Sequence, residues 1–300
     1  MRVLAPPPCP PPLRGRGGFF AALIAWFACA GCAVAQDAIR GEYLVHAGGC
    51  ISCHTVPGGK PFAGGRALTT PFGTFYSPNI TPDADTGIGR WTDAQFLRAL
   101  REGKRPDGSN YFPVFPYPSF TNITDSDALA IKAYLFSLAP VHQPDRPHEV
   151  ALPFSWRFLQ LGWKMLFFRE GPFQPDPARD ASFNRGAYLV TALAHCGECH
   201  TPRNMLGGVK ASQALAGTPD GPDNQTVPNI TPDRTTGIGD WDADDIVTLL
   251  KTGRTPEQSS VKGAMHEAVQ DGLRFLTDAD AHAIADYLLA QKPIVHKVGE

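Results

Sequence analysis

The pentapeptide Cys50-Ile51-Ser52-Cys53-His54 and its second copy, Cys196-Gly197-Glu198-Cys199-His200, restrict this chain more than any other feature. Cys-x-x-Cys-His is the pattern at which a c-type haem is attached covalently. Thiols three positions apart lie about one helical turn from each other, so both can meet the vinyl groups along one porphyrin edge. The imidazole that follows falls beneath the iron as its proximal ligand. Half a zinc site and a thioredoxin-type dithiol also read Cys-x-x-Cys. A single zinc would have to draw together motifs more than a hundred residues apart and would leave both histidines over. A dithiol has no use for a histidine directly after its second cysteine, and here the histidine occurs twice. The spacing therefore predicts two covalent haems c. Cys50, Cys53, His54, Cys196, Cys199 and His200 are the cofactor-binding residues, and His54 and His200 are metal ligands.

The N-terminus reads as a secretory leader over 1–35. Arg2, Arg14 and Arg16 charge its start, Phe19 to Val34 is apolar, and Ala33-Val34-Ala35 is an A-x-A cleavage site before Gln36. A membrane span is the competing reading, but the apolar run is short, interrupted by Gly31, and ends in small residues. Cys32 after Cys29-Ala30-Gly31 faintly resembles a lipoprotein box without its usual aliphatic residue. With the leader removed, the seven cysteines fall to the four in the two motifs, and no thiol remains for a structural disulfide. Taking three leader arginines from the 27 basic residues leaves 24 against 29 acidic ones. That mildly acidic balance suits docking to basic redox partners. No basic run with interleaved aromatics points to nucleic acid.

The chain is also a tandem duplication. Arg40-Gly41-Glu42-Tyr43-Leu44-Val45 returns as Arg185-Gly186-Ala187-Tyr188-Leu189-Val190, and Pro78-Asn79-Ile80-Thr81-Pro82-Asp83 returns as Pro228-Asn229-Ile230-Thr231-Pro232-Asp233. Thr86-Gly87-Ile88-Gly89 with Trp91 returns as Thr236-Gly237-Ile238-Gly239 with Trp241. Each half reads helix, haem motif, long loop, helix, loop, helix. The first helix, Ala38 to Ala47, places Ile39, Tyr43 and Leu44 on one face. Thr92 with Gln95 is a capping box, and Gly103 ends that helix. Thr124 opens the third helix, which carries Leu129, Tyr134, Leu135 and Leu138. In the second half, Asp242 to Gly253 and then Thr277 to Leu288 repeat the pair. The first and last helices of each half are expected to pack together around the haem. With 30 glycines and 29 prolines in 300 residues, such halves have long loops and thin cores, and a haem supplies the missing apolar mass. The Pro-Asn-Ile turns are either simple turns or loops against the haem, where a carbonyl or the Asn amide orients the proximal histidine or a propionate.

The distal ligands do not match between halves. Met265, in the loop between the Gly253 and Thr277 helices, is expected to ligate the second iron; Met205 lies too close to its own motif. The first half, Gln36 to Pro140, has no methionine, and its equivalent loop reads Tyr111-Phe112-Pro113-Val114-Phe115-Pro116-Tyr117. His142, His148, Met165, Lys104 or an open iron are the alternatives there, with His46 too near the proximal side. The aromatic and basic stretch 153–169 reads as a helix covering the seam between halves, or as a patch for a membrane surface or partner protein.

The two motifs, the Pro-Asn-Ile-Thr-Pro-Asp repeats, Cys-His-Thr-Pro-Arg-Asn at Cys199 to Asn204 and the aromatic stretch together resemble the multihaem cytochrome c subunits of bacterial periplasmic dehydrogenases of the alcohol and gluconate type. That resemblance covers essentially the whole chain after the leader. It implies an all-α fold of two tandem class I-like cytochrome c domains, 36–140 and 183–293, with an aromatic-rich linker helix in 141–182 and a tail at 294–300. It also implies a periplasmic electron carrier, reduced by a partner dehydrogenase and oxidised by quinone, a cytochrome or a terminal oxidase. The chain departs from the pattern in having two motifs where several such subunits have three, and Val114-Phe115-Pro116 where many have methionine. A competing expectation is a dihaem redox enzyme, peroxidase-like or sulfur-oxidising, working at an open first haem. No cysteine remains as a distal thiolate for the sulfur chemistry. A sensory or structural haem module is a third reading.

Overall fold

The helices begin and end where short polar caps satisfy their free backbone groups. In the computed structural model, which describes residues 36–299, Thr92 and Gln95 form the capping box of α3 (Asp93–Glu102). Asp242 and Asp245 do the same for α9 (Ala243–Thr252). Gly103 and Gly253 close these helices in the left-handed conformation. Thr124 and Thr277 cap α5 (Asp125–Ser137) and α11 (Asp278–Leu289) by accepting from the backbone N–H three residues on. The leader assigned to 1–35 lies outside the described residues.

The remaining helices are α1 (36–47), α2 (Cys50–Cys53), α4 (Tyr117–Phe120), α6 (Leu159–Phe167), α7 (Ala181–Tyr188), α8 (Gly197–His200) and α10 (Gly263–Asp271). The fold is mostly helical, not wholly so. A three-stranded antiparallel sheet, β1 (Ala67–Thr70), β2 (Gly73–Tyr76) and β3 (Glu149–Val150), runs in that order. Four residues are too few to display a period-two pattern, but Thr-Thr and Phe-Tyr supply the branched and aromatic side chains that pleated backbone favours. The stretch expected as a loop around Met265 contains α10. Ile39, expected on the buried face of α1, stays 49% exposed.

Between the first helix and the haem motif the two halves differ by one residue, and the backbone absorbs it locally. Arg40 to Cys50 spans ten positions and Arg185 to Cys196 eleven. In the second half α7 continues as a π-helix over Leu189–Leu193, the wide turn that accommodates one inserted residue within a helix. The motif cysteines thereby keep the same relation to the helix behind them.

Each half also locks the other. Tyr43 donates to Asp280 Oδ2 at 2.5 Å, and its counterpart Tyr188 donates to Asp127 Oδ2 at 2.5 Å. Arg40 pairs with Asp127 and Arg185 with Asp280, within their own halves. The phenol oxygens accept in turn from Thr277 N–H at 3.2 Å and Thr124 N–H at 3.3 Å, the N-caps of the opposite helices. Leu44, Val45, Ile131 and Leu135 join Leu189, Val190, Ile284 and Leu288 in one buried cluster beneath this pair of triads. Burial alone would raise the pKa of Asp280, but the hydrogen bonds from Arg185 and Tyr43 outweigh it and hold the carboxyl below its ordinary value of 3.8. Its contribution to stability is therefore present above that value and lost as pH falls through the lower folded one. Tyr43→Phe with Tyr188→Phe is expected to cost about 1.5–3 kcal/mol per bond, the range for hydrogen bonds to charged groups. In acid, Asp280→Asn should narrow its stability gap to the unmodified chain. Equal loss at pH 7 and pH 3 would show that the carboxylate charge is not involved.

Candidate functional site

The short turns α2 and α8 present each motif, and His54 and His200 stand at their C-terminal ends. His200 is buried and His54 half-buried, and desolvation lowers both pKa values against the opposing pull of one backbone carbonyl. That carbonyl is Pro78 O for His54, at 2.8 Å, and Pro228 O for His200, at 2.9 Å. A carbonyl only accepts, so each neutral ring carries its proton on Nδ1 and keeps the lone pair on Nε2, as a metal-ligating imidazole held from behind does.

The carbonyls are brought in by glycine. Gly64 and Gly217 sit at φ 75° and 81°, and a Cβ on either would lie 2.4–2.7 Å from the backbone of Pro78-Asn79 or Val227-Pro228. Their N–H groups bond the carbonyls of His54 and His200 at 2.8 and 2.7 Å. The Pro-Asn-Ile turn thus has two separate tasks. Its proline carbonyl orients the histidine, while the buried Asn79 and Asn229 side chains are consumed internally. Asn79 donates to Thr86 Oγ1 and Val141 O and accepts from Thr81 N–H; Asn229 does the same with Thr236, Ile294 and Thr231. Neither amide is left to serve a histidine or a propionate.

The thiols lie along the mouth of the site. Burial pushes Cys50 and Cys196 up to about 12 and Cys199 to about 11, with Cys53 raised as well. A redox dithiol needs one thiol shifted the other way. Among the described residues no three His, Cys, Asp or Glu side chains converge on a metal-ion site. Cys199 lines the same cavity as Cys50, Cys53 and His54, so one cysteine of the second motif meets the first motif at the seam. Ser119 Oγ to Glu198 at 2.6 Å and Arg66 to Glu267 at 2.7 Å fasten that seam.

A cavity of about 1280 Å³ opens beside His54, walled by Phe75, Ile88, Phe96, Ile131 and Leu135 and reaching to Cys199. That exceeds the roughly 300–1,000 Å³ of ordinary small-molecule pockets. Arg66, Arg105 and Arg157 stand around it, together with the amide of Gln160, whose buried Oε1 has no partner in the protein. An apolar slot with cations at its edge, thiols on one side and a ligating nitrogen within fits a tetrapyrrole bearing two carboxylates. His148 also lines the cavity. Its Nδ1 accepts from Tyr76 N–H at 3.2 Å, and burial, with Arg157 and Arg105, lowers it to about 4. Arg105, Arg157 and Gln160 belong to no motif, and nothing in their sequence neighbourhood marks them for the site.

The expected distal ligands scatter. Met265 lies in the first turn of α10, half-buried against the core cluster. Met165 and Met205 are 74% and 95% exposed. His142 is exposed beside Asp83, and Lys104 sits 3.7 Å from Glu102. His46 Nδ1 bonds Asp271 O at 3.0 Å across the seam.

Residues 38–139 match the family model described as Cytochrome c. A diheme cytochrome c-type protein of Cereibacter sphaeroides is 44% identical over 262 residues, which cover 84% of this chain and 85% of that relative. The chain belongs to the cytochrome c family. Membership implies haem c held covalently and a role in electron transfer. This cytochrome is also 43% identical, over 85% of its length, to 56% of the cytochrome c subunit of alcohol dehydrogenase (quinone) from Gluconacetobacter polyoxogenes. It is 45% identical, over 83% of its length, to 21% of a nicotinate dehydrogenase subunit from Pseudomonas putida. The chain therefore spans about half the length of the first of these dehydrogenase subunits and about a fifth of the second. No helix among the described residues is long and apolar enough to cross a membrane.

Proposed function

We propose that this cytochrome is a periplasmic dihaem electron relay. It takes single electrons from a partner dehydrogenase and passes them toward quinone, a cytochrome or a terminal oxidase. The observation that carries this reading is that Cys53 and His54 of one motif and Cys199 of the other line a single cavity. Haem c supplies a one-electron iron couple when bound. Cys50, Cys53, Cys196 and Cys199 would anchor the two groups, His54 and His200 would be the proximal ligands, and Met265 the distal ligand of the second. The chain's own residues do the rest. Pro78 and Pro228 orient the imidazoles, the apolar walls beside His54 would bury the porphyrin faces there, and Arg66, Arg105 and Arg157 would offset propionate charge. Tandem domains at 36–140 and 183–293, with 141–182 between them, are the organisation this reading requires. The dehydrogenase names of the relatives support the partner class. A potentiometric titration followed at the haem absorption tests it: two one-electron steps are expected, and a chain without a reversible step would sink the relay.

The segment between the halves has an inverted helix. On α6, Lys164 points inward, its Nζ donating to Glu102 O at 2.5 Å, Gly103 O at 3.0 Å and Asn110 Oδ1 at 2.8 Å. Leu161, Met165 and Leu166 point outward, 59%, 74% and 66% exposed. This supports peripheral contact of 153–169 with a membrane surface, since an apolar row with flanking Trp and Arg suits the lipid boundary. Leu161→Ser with Leu166→Ser is expected to weaken co-sedimentation with anionic vesicles roughly tenfold or more, as loss of about 1.4 kcal/mol or more would. Unchanged binding would remove lipid as the occupant.

A further inference from the structure

The two distal loops share one hydrogen-bond frame, and that frame aligns their residues. Tyr111 N–H bonds Gly103 O at 2.8 Å, and Val261 N–H bonds Gly253 O at 2.9 Å. Within each loop, Arg105 N–H bonds Ser109 O and Thr255 N–H bonds Ser259 O, and the bridges Lys104–Asn110 and Arg254–Ser260 close them. The offset is 150 at every one of these positions up to Tyr111 and Val261; carried four residues past that frame it pairs Phe115 with Met265, and the three extra residues of the second half then fall between Met265 and Thr277. Both pack against the core cluster. Phe115 is held there by Tyr111 and Phe120, with ring centroids 5.2 and 5.6 Å away, and it lines the cavity that holds His54. A phenyl ring offers iron no lone pair where the thioether would.

In the cavity no second thioether and no amine takes its place. Its lining contains no methionine and no lysine among the described residues. His46 and His195 precede the two motifs in the chain and are engaged by Asp271 O and the Gly48 backbone. His148 is tied through Nδ1 to Tyr76 N–H, on the strand end that leads directly to Pro78, the residue holding His54. Its ring is fixed between Phe75 and Phe112 at 5.3 and 5.7 Å. It therefore stands at the edge of the cavity with its Nδ1 already engaged.

We propose that the first haem site has an open sixth position that takes a small exogenous π-acceptor ligand, such as carbon monoxide on the ferrous iron or cyanide on the ferric iron. The second site is closed by Met265. This rests on the reading that His54 and His200 each hold a haem. Binding forms one iron–ligand bond, displaces at most a water, and involves no redox change.

The test is the stoichiometry of carbon monoxide uptake by the full-length reduced holoprotein, read from difference spectra, alongside the ferric spin state by electron paramagnetic resonance. One carbon monoxide per chain and one high-spin haem are expected. Phe115→Met should abolish uptake, convert that haem to low spin and raise its potential. Met265→Ala should raise uptake to two per chain. No uptake by the unmodified protein, or a haem that opens only in His148→Ala, would overturn the proposal. A pyridine haemochrome assay on the same samples separates the two failures. Two haems without uptake would contradict the open site alone, whereas absent haem would contradict the relay beneath it.

Discussion

Replacing Cys50 and Cys53 together by alanine is expected to leave a protein with one haem that no longer passes electrons from donor to acceptor. Its first half should be at the edge of unfolding. The cavity beside His54 measures about 1280 Å³. Apolar walls of this extent gain their stability only when something apolar covers them. A whole domain is stable by only about 5–15 kcal/mol. Filling the space with water instead would wet Phe75, Phe96, Ile131 and Leu135. The group that fills the cavity keeps these walls dry, so losing its anchors should remove stability as well as colour. Haem staining after denaturing electrophoresis, followed by thermal unfolding, reads both effects. Two covalent haems surviving in the variant would contradict the assignment of these cysteines.

The second large effect comes from Gly41 and Gly186, where α1 crosses α5 and α7 crosses α11. A Cβ on Gly41 would lie 1.9 Å from Ala130 O and 2.8 Å from Tyr134 Cβ; on Gly186 it would lie 1.8 Å from Ala283 O and 2.8 Å from Tyr287 Cβ. Backbone cannot yield as a flexible side chain does, so the helices must separate. Separation would also pull Tyr43 and Tyr188 from the carboxylates of the opposite half. Gly186→Ala is expected to cost at least about 3 kcal/mol, the upper range for overpacking. Gly162→Ala, in α6 with nothing within 4 Å of the new Cβ, should instead stabilise by about 0.5–1 kcal/mol. Melting temperatures that fail to separate the two variants would show that the close crossings do not limit the fold.

What the sequence makes legible is local or repeated. Cys-x-x-Cys-His, the Thr92, Asp242, Thr124 and Thr277 caps, and the glycine stops act within one helical turn, and the structure reproduces the caps and stops. The duplication announced that both halves would share one frame, and the register of Phe115 with Met265 follows from it. The structure adds what depends on distance through space. Tyr43 and Tyr188 read as members of apolar helix faces, and only packing reveals that each phenol reaches an aspartate more than sixty residues away in the other half. The inward Lys164 runs against the hydrophobic pattern of its own helix, because three acceptors at the end of α3 and its following loop hold it. The sheet was hidden by strands of two to four residues. The π-helix had a signal, the single extra residue between Arg185 and Cys196, that a count of the two repeats exposes.

The most direct test of the relay is the intact mass of the full-length holoprotein purified from a host that matures c-type cytochromes. A chain mass increased by two haems is expected, falling to one when either cysteine pair is removed. A chain carrying one haem or none, with its second pair of thiols free to alkylation, would contradict the dihaem relay.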